Sequence, residues 1–361
     1  MRTVVTGLEN FVLLGSLVAF LAFAIAGIVR AAELRGYWRP HPSVPMRLYG
    51  AAVALPPIVS LWLVAAALLP EWWLGQQDFD REHAATDHAH FHLLSDLTVA
   101  LEPGLSVATA ALAVAGLAVA LVASIRGYQR VGRVIARLDV VADPPPPEQA
   151  ALVEAAATAY GLEVGLVVSD YPISFVWGFG RSRLVLSSGL LRGLSGRELR
   201  GVLEHEAAHH FRRDNAVKLA FAFAAHATLL FPLARRVLAW RSESVELVCD
   251  EIAAARTRAP LDIAGALVKV RRMTLPSPGL SVAPATEFLP ATATSFEYRV
   301  RRLIDFHEAP PRPSVADALA RGPARTAAAV TAAFAATLAV ALATAPLAVH
   351  AAVEALIHLL A

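Results

Sequence analysis

Apolar segments long enough to cross a bilayer constrain the fold of this chain more than any other feature. They are residues 11–29, 51–69, 105–125 and 327–347, and none of them contains an acidic or basic side chain. A helix needs about 20 apolar residues to span a membrane. The composition agrees, because 56% of the residues are hydrophobic and only 17% are charged. The sequence therefore predicts a mainly α, polytopic membrane protein with about four transmembrane helices.

Arginines mark one side of this predicted membrane region. Residues 30–48 carry arginines against the single acid Glu33, the next loop, 70–97, is acidic, and arginines follow the third span and precede the fourth. Cationic loops stay in the cytoplasm. The cationic flank of the first span follows its apolar run, unlike that of a signal peptide, so we expect a retained anchor. The predicted organisation is a transmembrane region over 1–125 with an outer loop at 70–97, a cytoplasmic domain over 126–325, and a final span with a short outer tail over 326–361.

The cytoplasmic part has mixed helix and strand patterns. The pattern predicts a helix over Glu148–Tyr160 that ends at Gly161, and then strands over 162–169, 174–178 and 183–187. Ser195 and Glu198 have the spacing of a capping box, so a helix should begin there and continue through residue 213 or beyond. Residues 274–295 and 308–323 are rich in small residues or proline and are predicted as loops. A small α+β domain is expected.

Within the capped helix, His205 and His209 flank Glu206 in the pattern His-Glu-x-x-His. Histidines four residues apart lie on one face of a helix, so both imidazoles can bind one Zn²⁺. Glu206 is placed to take a proton from the attacking water. The pattern predicts a zinc site, one ion per chain. Two surface histidines on an ordinary helix are the alternative.

A catalytic zinc site needs a third protein ligand. Glu246 and Asp250 lie four residues apart on a second predicted helix, so one can bind the metal while the other holds a ligand imidazole. Glu243 and Glu251 compete for the ligand role, but only Glu246 has an acidic partner four residues later.

The stretches HEAAHHFRRDN and ELVCDE resemble the gluzincin peptidases of the BlaR/MecR type, which are membrane-bound antirepressor metallopeptidases. The resemblance extends over residues 165–255, with FVWG at 175–178 and LLRGLS at 190–195. It implies that Glu246 completes the zinc site and that Asp250 supports it. The span arrangement agrees with that family.

What the resemblance implies about function is regulatory proteolysis. The substrate would be a cytoplasmic protein such as a BlaI/MecI-like winged-helix repressor, and the location would be the inner membrane of a bacterial cell. Residues 350–361 are all that follow the last predicted span, and no Ser-x-x-Lys site is found outside the membrane. We therefore expect a short member without the penicillin-binding sensor. A net charge of +2 gives no basis for direct nucleic-acid binding.

Several other features of the sequence allow either a functional or an ordinary structural interpretation. Ser174, Phe175, Val176 and Trp177 could form an edge strand that pairs with substrate, or an ordinary strand. Arg299 lies in a segment that resembles one following the zinc site in related peptidases and could contact an oxyanion, or it could face solvent or lipid. Cys249 is expected to fill a core position.

Residues 216–230 are apolar, with His226 among them. We expect this stretch to form a helix that is buried in the domain or dips into the cytoplasmic leaflet, and that is broken near Pro232.

The acidic outer loop carries clustered histidines. A metal-sensing role competes with that of a solvated loop. The histidines are His83, His88, His90 and His92.

Two other functions stay open at this stage. A housekeeping protease of the HtpX or CAAX-processing type usually has two full spans between the second histidine and the glutamate, whereas this chain has 36 residues between His209 and Glu246. A catalytically silent receptor or scaffold would need no base between the histidines, yet Glu206 is present.

Overall fold

The computed structural model describes residues 2–38, 40–74, 146–178, 182–226, 228, 231–274 and 293–308, together with short helical pieces between 115 and 129. Two long helices come first, α1 over Arg2–Leu34 and α2 over Ser43–Leu74. They pack against each other along the chain as a hairpin.

The domain that follows mixes helices with a small sheet. Its elements are, in chain order, α3 (Pro147–Tyr160), β1 (Glu163–Val167), β2 (Ser174–Trp177), β3 (Arg183–Ser187), α4 (Ser188–Gly193), α5 (Gly196–Phe211), α6 (Asp214–His226), α7 (Phe231–Thr257), α8 (Pro260–Thr274) and α9 (Ala293–Glu308).

Helix α3 and the three strands lie within two residues of their predicted bounds. Helix α3 ends at Gly161, which adopts a left-handed φ of 65° and so closes the helix without the steric cost of a side chain. The predicted capping box starts α5, because Ser195 N donates to Glu198 Oε2 at 2.8 Å and Glu198 N donates to Ser195 Oγ at 3.4 Å.

The sheet has the order β1–β3–β2. Strand β1 is parallel to β3, and β2 is antiparallel to it, so β2 is an edge strand of the described sheet. Leucines of β3, α4 and α5 form the core beside it, with Leu186 and Leu199 fully buried. This core fixes α5 against the sheet and places its other face toward α7.

One prediction about α5 is wrong in its extent. The helix ends at Phe211 rather than continuing through residue 213, and Arg213 takes a left-handed φ of 54° before α6 begins at Asp214. Residues 212–215 read Arg-Arg-Asp-Asn, without the glycine or proline that would mark a break in the helix. The break turns α6 away from α5 and brings Asp214 back toward His209.

The apolar stretch 216–230 is divided as predicted near Pro232. Helix α6 ends at His226 and α7 begins at Phe231. With a rise of 1.5 Å per residue, the 13 residues of α6 extend about 20 Å, less than a bilayer core.

The hairpin of α1 and α2 packs against α6 and α7 rather than standing apart from the domain. Phe23 of α1 and Val53 of α2 share one buried cluster with Ala225 of α6 and Val237 of α7. Arg30 forms an ion pair with Glu243 near the end of α1. The first two helices are therefore part of the same packed structure as the domain.

Among the described residues, one helical stretch, Gly15–Leu34, is long and apolar enough to cross a membrane. It overlaps the first predicted span. The second predicted span, 51–69, lies within α2, and its crossing stays a prediction. Most of 105–125, all of 327–347 and the histidine-rich loop lie outside the described residues.

Candidate metal centre

Two histidine side chains of α5 have their Nε2 atoms close together beside the helix. His205 and His209 are one helical turn apart, and their Nε2 atoms lie 3.2 Å from each other. Both side chains are largely buried, with 12% and 14% of their surface exposed. Two imidazole nitrogens this close, once neutral, could form half of a tetrahedral metal site.

Helix α7 adds a carboxylate at the same point. Glu246 Oε2 lies 3.3 Å from His205 Nε2, and Glu246 Oε1 lies 3.5 Å from His209 Nε2. One donor atom from each of the three side chains lies within 4.8 Å of the others, so this set could hold a metal ion. Two nitrogens and one carboxylate oxygen are a donor set that suits zinc and leaves one position open.

The outward-facing nitrogen of each histidine is held by an aspartate. Asp250 Oδ1 lies 2.9 Å from His205 Nδ1, and Asp214 Oδ2 lies 2.8 Å from His209 Nδ1. These contacts orient both rings with Nε2 toward the shared point. Sequence reasoning placed Asp250 here but missed Asp214, whose only signal is an acid shortly after the second histidine, at a helix break that periodicity does not show.

Asp214 is itself fixed by a buried cation. Arg212 Nε donates to Asp214 Oδ2 at 3.2 Å, and both side chains are only 2% exposed. Burial alone raises the pKa of Asp214, but the hydrogen bond and charge of His209, with the charge of Arg212, lower it to about 2. Asp214 is therefore a carboxylate at any physiological pH.

Arg299 of α9 lies at the metal centre rather than in solvent or lipid. Its Nε and one terminal nitrogen donate to the two oxygens of Asp250 at 2.7 and 2.8 Å. The other terminal nitrogen lies 3.4 Å from Glu246 Oε2. Burial raises the pKa of Asp250, but the charge and hydrogen bonds of Arg299, together with those of His205, outweigh this effect and lower it.

The competing acids are engaged elsewhere. Glu243 pairs with Arg30 of α1. Glu251 accepts a hydrogen bond from Arg302 Nε at 2.6 Å and lies 3.0 Å from His41 Nε2. Neither acid belongs to the group of donor atoms around Glu246, as the sequence argument expected.

Cys249 and His226 also lie outside that group. Cys249 is fully buried, with its sulfur 3.5 Å from His209 Nδ1 and 3.8 Å from Asp214 Oδ2, so it packs behind the imidazole. His226 Nδ1 lies 2.7 Å from the carbonyl oxygen of Ala222 in its own helix.

Glu206 points to the edge strand. Its side chain accepts a hydrogen bond from Ser174 Oγ at 2.7 Å and is only 7% exposed. Ser174 is the first residue of β2, so this contact joins the residue between the two histidines to the start of the edge strand.

Along the open edge of β2, the backbone N–H and C=O groups of every second residue point away from β3. Ser187 N donates to Ile173 O at 3.0 Å, so the groups of Ile173 point to β3. Direction alternates along a strand, and the groups of Ser174 and Val176 therefore point outward. Asn215 Nδ2 donates to Val176 O at 2.8 Å and uses one of these carbonyls. The groups of Ser174 face the open edge beside Glu206.

Charge in the centre favours protonated histidines when no cation is bound. Burial lowers the pKa of His205, but its hydrogen bonds with Asp250 and Glu246 overcome this and raise it to about 10. The pKa of His209 is also well above its usual value, because Cys249, Glu246 and Asp214 together outweigh burial. Burial raises the pKa of Glu246, and the charge of His209 with other contacts holds it well below its usual value. The centre attracts positive charge.

Two histidines on α5, a glutamate on α7 and an edge strand beside them form an arrangement like that of a gluzincin-type metallopeptidase. Residues 148–272 match peptidase family M48, whose members are zinc metallopeptidases, and this match supports a protease of that type. The matched residues include α3 through most of α8. No curated protein and no solved structure matches the chain.

Proposed function

We propose that this protein is a membrane-embedded zinc metalloendopeptidase that cleaves a cytoplasmic regulatory protein. The observation that carries the proposal is the meeting of His205, His209 and Glu246 at one point, with Glu206 held beside the edge strand by Ser174. The match to peptidase family M48 over residues 148–272 supports the catalytic part.

The three side chains fit a zinc ion. Both Nδ1 atoms are taken by aspartates, so both Nε2 atoms are left to face the metal position together with a Glu246 oxygen. A zinc ion held there would polarise the substrate carbonyl and make an attacking water more acidic. The buried Arg299 adds a positive charge next to Glu246.

Glu206 is the proposed proton carrier. Its carboxylate accepts a proton from the attacking water and then delivers a proton to the leaving amine nitrogen of the cleaved peptide. The hydroxyl of Ser174 holds one oxygen of this carboxylate and leaves the other oxygen for the proton.

The substrate is proposed to bind as an added strand. The outward backbone groups of Ser174 can pair with an extended peptide, which would then lie along β2 next to Glu206. Arg299 is proposed as a contact for the developing oxyanion, although its two hydrogen bonds to Asp250 first serve to hold that carboxylate.

The regulatory role and the cellular placement rest on the sequence. The BlaR/MecR resemblance supports a repressor-like protein substrate, and the arginine distribution supports a bacterial inner membrane with residues 126–325 inside and both termini outside. The short α6 disfavours an HtpX-like arrangement, because its 13 residues cannot cross the bilayer. A silent scaffold is disfavoured by the buried, hydrogen-bonded Glu206.

The decisive experiment compares cleaved proteins in cells that express the wild type or Glu206→Gln. We expect a small set of cytoplasmic fragments, including a transcriptional regulator, that disappears in the variant. Glu204→Gln is a matched control, since Glu204 lies on the same helix but pairs with Tyr160 and Arg256. If fragments persist in Glu206→Gln, or disappear equally in Glu204→Gln, the proposal is wrong.

A further inference from the structure

Helix α6 exposes an apolar face. Ala216, Leu219, Ala220 and Phe223 are spaced three, one and three residues apart, so they lie on one side of the helix. All four side chains are exposed, Leu219 by 36% and Phe223 by 41%. A helix on a water-facing surface carries polar residues on its outer side. Of the five exposed residues of α6, these four are apolar and the fifth is Lys218.

The opposite side of α6 packs against α2 and α7, which are the neighbours of the candidate membrane span α1. Ala225 of α6 belongs to the same buried cluster as Ala19, Phe23 and Ala26 of α1, all of which lie within the stretch Gly15–Leu34. If α1 crosses the bilayer, the part of α6 in this cluster lies at the same depth.

Two residues of α7 show how this helix lies along α1. Ala234 belongs to the same cluster as Ala19, whereas Glu243 pairs with Arg30 at the charged end of α1. The distance along α1 from residue 19 to residue 30 is about 16 Å, and the distance along α7 from 234 to 243 is about 14 Å, at 1.5 Å per residue. The start of α7 therefore lies beside the apolar part of α1, well beyond the ion pair.

Cations flank this region. Lys218 of α6 and Arg235 and Arg236 of α7 are exposed. Long cationic side chains can extend from an apolar surface to the lipid headgroups, and anionic headgroups of the cytoplasmic leaflet attract them. An apolar helix face with exposed cations near it is typical of a segment that lies in the membrane interface.

We propose that α6 lies in the cytoplasmic leaflet, with Ala216, Leu219, Ala220 and Phe223 against lipid acyl chains. This inference rests on the membrane placement in the proposed function. Because α6 begins at Asp214, which binds His209, the metal centre would lie within one helix length, about 20 Å, of the hydrocarbon. Substrates would then be cut close to the membrane surface.

The test is site-directed spin labelling of the full-length protein in liposomes of phosphatidylcholine and phosphatidylglycerol. A nitroxide on Phe223→Cys is compared for its collision rate with oxygen, which concentrates in lipid, and with a water-soluble nickel chelate. Ile25→Cys on α1, with 56% of Ile25 exposed, is the lipid reference, and Val168→Cys, with 57% of Val168 exposed, is the aqueous one. Cys249, the single native cysteine, is fully buried, and labelling of the wild type measures its background.

We expect position 223 to resemble position 25, with a ratio of oxygen to nickel collisions several-fold above that of position 168. A ratio at 223 equal to that at 168 would overturn the inference and leave the membrane placement intact, provided that 25 still reports lipid. Low collision rates with both reagents at 223 would show that another part of the chain covers the face, which would also overturn it. If position 25 reports water, the membrane placement itself fails together with the inference.

Discussion

Asp214 Oδ2 lies 2.8 Å from His209 Nδ1, although the two residues belong to different helices separated by a left-handed turn at Arg213. The break between α5 and α6 thus has a consequence for the metal centre: it brings a carboxylate to the far side of a ligand imidazole. The equivalent contact on His205 is made by Asp250, from α7.

We predict that Asp214→Asn weakens zinc binding or activity by roughly 10–100-fold, as losses of such supporting contacts do. The same loss is expected for Asp250→Asn, because each variant frees one ring and lowers its basicity. Competition with a chromogenic chelator measures the affinity. Asp305→Asn, a change of the same type at an exposed position of α9, is the control and should behave as wild type. A wild-type affinity in Asp214→Asn would show that the contact does not support the metal.

Substitutions of the metal ligands and of the proposed proton carrier, Glu206, should have different effects. We expect about one zinc per chain in the wild type and in Glu206→Gln, and loss of zinc in His205→Ala, His209→Ala and Glu246→Ala, since only the last three remove a donor atom. Glu206→Gln should lose activity alone. Metal analysis after mild dialysis, together with a peptidase assay, separates the two classes.

The assignment of Glu246 has its own control. Glu243→Ala and Glu251→Ala should keep the metal, because these acids pair with Arg30 and Arg302. If either variant loses zinc while Glu246→Ala retains it, the assignment of the third ligand is wrong.

Local patterns were enough to predict much of this centre. The spacing of His205 and His209 and the capping box at Ser195 fix a helical face, and the spacing of Glu246 and Asp250 fixes another, because side chains four residues apart must lie together. The structure brings these two faces to one point, as the argument required.

Contacts that depend on packing between distant segments were not predictable in the same way. Asp214 required knowledge of a helix break, and the contact of Ser174 with Glu206 required knowledge of how β2 lies over α5. The ion pair of Arg30 with Glu243 joins residues more than two hundred positions apart. No periodicity in one segment contains that information.

Zinc binding should release protons and weaken as the pH falls. The raised pKa of His205, about 10, and the raised pKa of His209 mean that the metal-free centre holds more protons at neutral pH than two ordinary histidines would. A histidine must be neutral to bind a metal, so zinc binding releases protons, and acid competes with the metal. The number of protons released per ion is the quantity to measure. Calorimetric titration in two buffers of different ionisation enthalpy measures this number. Binding without proton release would contradict the raised pKa values.

The predicted topology can be tested with single cysteines. A cysteine at position 85, in the acidic loop, should react with an impermeant thiol reagent in intact cells, whereas one at position 40 should react only after lysis. The reason is that arginine-rich loops stay inside. Cys249 is buried and gives a low background. The opposite labelling would place the metal centre outside the cell.

Arg299 is expected to stabilise the fold as well as the centre. Its side chain is 13% exposed and pairs with Asp250, which is 2% exposed. Arg299→Ala would remove two hydrogen bonds and a cation from this buried carboxylate and leave His205 as its remaining described partner, and breaking a buried ion pair costs about 3–5 kcal/mol. We therefore expect a clear loss in the free energy of unfolding of the metal-free protein. Arg299→Lys, which keeps the charge but loses the paired hydrogen bonds to both oxygens, should recover only part of that stability.

Arg301→Ala, an exposed change two positions away on the same helix, is the control and should stay within about 0.5 kcal/mol of wild type. Denaturant unfolding in detergent, done with a chelator present, measures all three variants. An Arg299→Ala protein as stable as the Arg301→Ala control would show that Asp250 does not need the cation.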